Sequence, residues 1–190
     1  MMKDLYHGTV FDIAEIDIMQ GKGYKDFGKG FYATAVKSHA ERIAKRNKYR
    51  LEAREKRIKQ KNPGYRITNY QAYCYNLEFD DKCLESPENL KIKVFETADK
   101  EWMRFILKNR DCAASAHDYD IVIGPTADEN TVTMINSYRE ELIITNYADE
   151  VLDELIEELQ PENLPKQYFF GTAAAIRMLR FKTVKREIVI

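Results

Sequence analysis

An α+β domain is the fold class that this sequence predicts, and three observations lead there. Strand-like and helix-like segments follow one another without the regular alternation of a doubly wound parallel sheet. Two short aromatic strands near the N-terminus carry glycines, residues that weaken strands and mark places where something approaches the backbone closely. The 190 residues are 44% hydrophobic and 32% charged, enough for one globular domain with a substantial core.

Asp4 to Thr9 reads as the first strand. A helical or irregular stretch around Ile13 to Gln20 leads to a glycine-rich loop from Gly21, which delivers a second strand, Gly30 to Thr34. From about Ser38 to Lys61 the composition turns helical and strongly charged, and Asn62-Pro63-Gly64 stops it. Alternating aromatic residues predict a strand over Tyr65 to Phe79. Ala98 to Asn109, with Trp102, Phe105 and Ile106 at helical spacing, predicts an amphipathic helix. Tyr119 to Gly124 reads as a short buried strand ending in the Gly124-Pro125 turn, and Thr131 to Thr145 fits helix and strand equally. Asp149 to Gln160 predicts an acidic helix with Val151, Leu152, Leu155, Ile156 and Leu159 on one face, closed by Pro161. After Pro165 come a strand, Gln167 to Phe170, a helix from Thr172 to Leu179 and a last strand ending in Glu187-Ile188-Val189-Ile190.

A net charge of −1 supplies no global field toward nucleic acid or membrane. Cys74, Cys83 and Cys112 are odd in number and lack metal-ligand spacing, so reduced thiols are expected and no structural zinc or other metal. The first strand begins close behind Met1, leaving no room for a cleavable leader. The longest apolar stretches, such as Ile121-Val122-Ile123 and Tyr168-Phe169-Phe170, are too short to cross a bilayer. A cytoplasmic protein with no membrane partner is the expectation.

The chemistry-bearing residues concentrate in Leu5-Tyr6-His7-Gly8-Thr9 and in Asp26-Phe27-Gly28-Lys29-Gly30-Phe31-Tyr32-Ala33-Thr34. The pair resembles the first two strands of the ADP-ribosyltransferase superfamily, in its poly(ADP-ribose)-polymerase and diphtheria-toxin branch. There a His-Gly-Ser/Thr strand and a Gly-x-Gly-hydrophobic-Tyr strand grip NAD. Lys37-Ser38-His39-Ala40 is similar to the Lys-Ser-x-Ala that opens the next helix in that branch. Lys166-Gln167-Tyr168-Phe169-Phe170 is similar to the third strand, which usually carries a catalytic glutamate; here Gln167 stands in its place. Gln167 with Phe170 and Thr172, together with Tyr119-Asp120-Ile121-Val122-Ile123-Gly124-Pro125, also resembles a bacterial subgroup of unknown function within the superfamily.

The resemblance implies one ADP-ribosyltransferase-like domain over residues 1–190, with helical insertions at about 38–61 and 98–160. Its core would be a split β-sheet of two small antiparallel sheets with flanking helices. It implies that His7, Tyr32 and Gln167 are the catalytic set, and that His7, Gly8, Thr9, Gly30, Phe31, Tyr32 and Ser38 hold NAD. Tyr32 would stack on the cationic nicotinamide, worth on the order of 0.5 to 2 kcal/mol. Gly8 would offer backbone groups to the carboxamide, and His7 would bond a ribose hydroxyl. Gln167 can hold that hydroxyl but supplies neither charge nor a base, a function worth roughly 10² to 10⁴ in rate. Either the acceptor brings its own nucleophile, or another carboxylate such as Asp120, Asp118 or Asp26 serves, or NAD is bound without turnover.

The implied activity is NAD-dependent mono-ADP-ribosyl transfer to a protein or nucleic acid such as RNA. The implied setting is a bacterial toxin held by an antitoxin protein. A non-catalytic NAD or ADP-ribose module and an NAD glycohydrolase are the alternatives. Charge is also polarised. Lys37 to Lys61 is rich in Arg and Lys, whereas Asp149 to Glu158 is rich in acids. The basic helix reads either as a guide for an anionic acceptor such as RNA or for the phosphates of NAD, or as a solvated helix interleaved with Glu41, Glu52 and Glu55. The acidic helix reads as ordinary packing or as a docking face for a partner protein.

Overall fold

In a computed structural model, the structure describes residues 1–85, 89–127, 129–159 and 164–190. Among the described residues, seven strands and five helices make an α+β protein. In chain order they are β1 (Met2–Thr9), β2 (Phe31–Thr34), α1 (Lys37–Lys61), β3 (Tyr73–Asp80), β4 (Ile92–Val94), α2 (Lys100–Arg110), β5 (Ile121–Pro125), α3 (Glu129–Ile144), α4 (Asp149–Leu159), β6 (Lys166–Phe170), α5 (Ala173–Ile176) and β7 (Leu179–Ile188). The chain divides into two compact units, one of Met1–Ile16, Ala33–Lys82 and Arg177–Ile190, the other of Asp17–Tyr32 and Cys83–Ile176.

In the first unit the strand order is β2-β1-β3-β7. β1 pairs antiparallel with β2 at Tyr6 and Thr34, and with β3 along its whole length, from Met2 opposite Asp80 to Thr9 opposite Tyr73. β3 pairs antiparallel with β7, with an irregularity between Tyr75 and Leu77. Leu5, Tyr75, Leu77 and Phe79 are fully buried, and β3 is buried without a break from Cys74 to Leu77, so both of its faces are covered there. Ala40 and Ala44 bring α1 down onto β1, and both are fully buried.

The expected strand over Tyr65 to Phe79 is shorter, beginning only at Tyr73. The physical reason is Glu55, a buried acid on α1. Its carboxylate accepts from the Tyr65 hydroxyl at 3.2 Å, the Thr68 N–H at 2.6 Å, the Thr68 hydroxyl at 3.1 Å and the Tyr70 hydroxyl at 2.7 Å. These bonds hold the 65–70 segment on the helix instead of in a ladder, and they lower the Glu55 pKa, Tyr70 first and Thr68 next.

In the second unit the order is β4-β5-β6-β2. β4 and β5 run parallel, from Ile92 opposite Ile121 to Val94 opposite Ile123, and β5 and β6 run antiparallel. Where the expectation had only antiparallel pairs, β4 and β5 are parallel. β5 is buried along its whole length, as an apolar run in mid-sheet should be. The core joins Phe27, Phe95, Val122 and Phe169 to Trp102, Met103 and Ile106 of α2 and Leu152 and Leu155 of α4.

α2 starts where Asp99 accepts from the Trp102 N–H at 2.9 Å, a helix cap of the usual kind. The Trp102 indole donates to the Pro125 carbonyl at 3.1 Å, so its one polar atom is satisfied inside the core. The stretch that fitted helix and strand equally is helical, α3. The three-residue β4 and the 3-10 turn Asp81–Leu84 have no counterpart in the expectations. The helix foreseen over Thr172 to Leu179 contracts to the single turn of α5 because the chain enters β7 at Leu179. Pro161, expected to close α4, lies outside the described residues. Among the described residues no helix is long and apolar enough to cross a membrane.

Candidate functional site

Four of the expected ligand residues lie in the first unit. His7 is half-buried on β1 opposite Tyr75. Gly8 follows, and a side chain there would place its Cβ 1.8 Å from the Ala40 carbonyl oxygen. The glycine is therefore required for α1 to lie on β1, whatever else it does. Thr9 is buried, and its hydroxyl accepts from the Phe11 N–H at 3.2 Å.

Ser38 is exposed, in the first turn of α1. α1 opens one residue earlier, with Val36 as its N-cap, and the Val36 N–H donates to the Thr34 hydroxyl at 3.2 Å. The neighbouring His39, which sequence reasoning passed over, is buried with its Nδ1 2.9 Å from an Arg42 guanidinium N–H. Because a guanidinium can only donate, Nδ1 is the acceptor.

The remaining expected residues lie in the second unit. Gly28 adopts φ +83°, the left-handed region that favours glycine. At Gly30, just before β2, a Cβ would stand 2.4 Å from the Phe169 ring and 2.6 Å from the Phe170 carbonyl oxygen, so the chain entering β2 lies this close to β6 only because this residue lacks a side chain. Phe31 is buried.

The Tyr32 hydroxyl accepts from the Phe27 N–H at 3.1 Å and donates to the Gly28 carbonyl at 2.7 Å, and burial holds its pKa well above the usual tyrosine value. Its ring meets Phe169 edge-on at 5.3 Å. The Lys25 ammonium sits 4.9 Å from the ring centroid, the arrangement in which an aromatic face attracts a cation.

Gln167 belongs to a buried polar network. Asp26, also buried, accepts at Oδ1 from Arg110 Nε at 2.9 Å and Nη2 at 2.5 Å. Its Oδ2 accepts from the Ala127 N–H at 3.0 Å and from the Gln167 amide at 2.8 Å. The same amide nitrogen lies 3.3 Å from the Pro125 carbonyl. Four donors thus converge on one carboxylate, the condition under which a buried charge is tolerated. A carboxylate at position 167 would face Asp26 with no proton to offer, so the departure from glutamate has a local physical reason.

Of the other carboxylates considered, Asp118 is exposed and paired with Lys91, whose proximity lowers the Asp118 pKa. Asp120 accepts from the Lys91 N–H at 2.7 Å and the Thr172 hydroxyl at 2.6 Å, which fixes the turns on either side of β5. His117 was not anticipated. Its Nδ1 accepts from the Tyr119 N–H at 3.0 Å, so Nε2 carries the proton and donates to the Phe27 carbonyl at 3.0 Å. Burial lowers its pKa, and it is neutral at pH 7.

The second unit thus brings Tyr32 on β2 and Gln167 on its neighbour β6 together with Gly30 just before β2, and the first unit keeps His7, Gly8 and Thr9 on β1 beside the start of α1. An open groove in the first unit is lined by Tyr6, Lys37, Asn76, Lys182 and Glu187, not by His7. Its cations are matched locally, Lys37 to Glu187 at 2.7 Å and Lys182 to Asp4 at 2.7 Å. Among the described residues no group of three His, Cys, Asp or Glu side chains could hold a metal ion.

The model of one family, described as a protein of unknown function (DUF3990), matches residues 2–181, and the chain belongs to that family. No curated protein and no solved structure matches the chain.

Proposed function

We propose that this member of the DUF3990 family is an NAD-dependent mono-ADP-ribosyltransferase. The bond between nicotinamide and ribose C1′ breaks, and nicotinamide leaves with the electron pair. A nucleophile of a protein or nucleic-acid acceptor bonds to C1′ and gives up its proton. The observation that carries the reading is the antiparallel pairing of β1 with β2 at Tyr6 and Thr34. It pairs the strand that carries His7-Gly8-Thr9 with the strand that opens on Phe31-Tyr32, the order of motifs that the resemblance to ADP-ribosyltransferases implies. Lys25 over the Tyr32 ring supports it, because a face that attracts an ammonium also suits a cationic nicotinamide.

In this reading His7 bonds a ribose hydroxyl, the Gly8 backbone meets the carboxamide, and Thr9, Gly30, Phe31 and Ser38 complete the grip. A toxin restrained by an antitoxin protein is the biological setting it implies. One observation favours a second reading, an NAD or ADP-ribose module without turnover: the Gln167 amide is already engaged by Asp26 and Pro125.

Incubation of the purified chain with NAD labelled in the adenine, with and without bacterial lysate, separates the two. Transfer of label to a lysate component together with nicotinamide release, both lost in His7→Ala and Tyr32→Ala, is the expected result. Nicotinamide release without lysate identifies a glycohydrolase. Calorimetric NAD binding with neither release nor transfer identifies the module, and no heat at all ends the NAD proposal.

A further inference from the structure

We propose that the exposed face of α1 is a docking surface for single-stranded RNA. Arg42, Arg46, Arg50, Arg54, Arg57 and Lys61 recur at intervals of four, four, four, three and four residues, and all six are exposed. At 3.6 residues per turn they form one stripe, about 28 Å long at 1.5 Å per residue. Successive cations stand about one turn apart, close enough that each repels the next.

The acids of this helix do not relieve that repulsion. Glu41, Glu52 and Glu55 fall away from the arginine stripe; Glu52 lies 3.9 Å from the Lys48 ammonium at the edge of the groove beside Tyr49, and the buried Glu55 is engaged by Tyr65, Thr68 and Tyr70. The interleaving of charges seen along the sequence is therefore not an interleaving on the surface. Arg50, Arg54, Arg57 and Lys61 make no ion pair among the described residues. A row of cations that raises the energy of the isolated helix is stabilised by a row of anions, and arginine forks suit phosphodiester oxygens.

A second observation narrows the polyanion to an unpaired strand. Tyr49, 74% exposed, stands on the same side of the helix between Lys45 and Arg46. It also lines a groove shared with Lys45, Lys48, Glu52, Gln71 and Ile188. An exposed ring beside a cationic track is a stacking platform for an unstacked base, and Gln71 offers donors and an acceptor to a base edge. Unpaired bases are the ordinary condition of RNA, whereas cellular DNA is duplex.

A membrane surface is disfavoured because an amphipathic membrane helix buries an apolar face, and this outward face is cationic. Self-association through the acidic α4 of a second copy is disfavoured because the Asp149 and Asp153 carboxylates already engage Lys100 at 3.6 Å and 3.0 Å, and Asp149 also pairs with Arg104.

The binding is independent of any NAD chemistry, so the test omits NAD. Fluorescence anisotropy of a labelled 20-nucleotide oligouridylate is followed with the full chain over a range of salt. Wild type is expected to bind, with log K falling linearly in log salt. Replacing Arg50, Arg54 and Arg57 together by Ala removes three phosphate contacts and flattens that slope by about 2, at roughly 0.7 per contact. Tyr49→Ala is expected to weaken binding at least fivefold with the slope unchanged. A control that removes the same charge elsewhere, Lys91→Ala with Lys108→Ala and Arg139→Ala, leaves binding as it was.

No binding by wild type, an equal loss in the control, or a 20-base-pair DNA duplex bound as tightly as the oligouridylate would each overturn the proposal. So would a sedimentation shift to dimer that is abolished by the α1 substitutions while RNA binding is not.

Discussion

Gln167→Glu would install the glutamate that the resemblance to ADP-ribosyltransferases implies for this place, and the structure says that it should destabilise the protein in a pH-dependent way. The amide stands 2.8 Å from Asp26 Oδ2, inside a network where every other donor to that carboxylate comes from Arg110 or Ala127. Two ionised carboxylates at that separation repel by about 6 kcal/mol at an effective dielectric constant of 20. Holding a proton on the introduced group is the cheaper course. From a reference value of about 4.3, that costs about 1.36 kcal/mol per pH unit, or roughly 3.7 kcal/mol at pH 7 and about 1 kcal/mol at pH 5.

The folded variant would bind a proton that its unfolded chain releases above about pH 4.3. Its stability therefore falls as pH rises, with the penalty absent below that value and growing toward neutrality. Urea unfolding of wild type and variant at pH 5 and pH 7 measures the gap. A gap equal at the two values, or a variant more stable than wild type at pH 7, would refute the reasoning.

Gly8→Ala should cost about 3 kcal/mol, the upper end of the overpacking range, because its Cβ would meet the Ala40 backbone rather than a yielding side chain. A lower urea midpoint is the expected result; an unchanged midpoint with NAD binding lost would instead leave the glycine to the ligand alone. Burial pushes the Cys74 thiol up to about 11, so iodoacetamide at pH 8 should label Cys83 and Cys112, both half-buried, well before Cys74 in a timed mass-spectrometric assay. Glu55→Gln removes the charge that four donors share, and limited proteolysis should then cut within 65–72, where wild type resists. In wild type the lowered Glu55 pKa places that protection above about pH 4.3, to be lost on acidification through the folded value, which pepsin digestion between pH 2 and 5 would follow.

The long helices were legible because their periodicity is sustained over several turns. α1 occupies Lys37–Lys61 against an expectation of Ser38 to Lys61, and α4 buries Val151, Leu152, Leu155 and Leu159 as its apolar spacing required. The tyrosines between 65 and 73 misled because alternation signals a strand only if the backbone finds a ladder. Here Glu55, ten to fifteen positions earlier, captures their hydroxyls first. β4 was invisible for the opposite reason, since Ile92-Lys93-Val94 is too short to show any period and exists by virtue of pairing with β5. The network at Asp26 joins residues 84 and 141 positions apart, and no local pattern announces such a partnership.

The glycines carry a more general lesson about what a motif can mean. A glycine in a strand announces that something comes close, and the sequence alone does not say whether that is a dinucleotide or another part of the same chain. At Gly8 the visitor is the Ala40 carbonyl, and at Gly30 it is the Phe169 ring and the Phe170 carbonyl. Internal packing thus accounts for both residues before any ligand is considered. The same holds for the Tyr32 hydroxyl, which two backbone groups already occupy. At His7 and at the Tyr32 ring, by contrast, truncation removes atoms without driving a new Cβ into neighbouring backbone. Substitutions at His7 and Tyr32 therefore test the NAD reading, whereas substitutions at Gly8 and Gly30 chiefly test the fold.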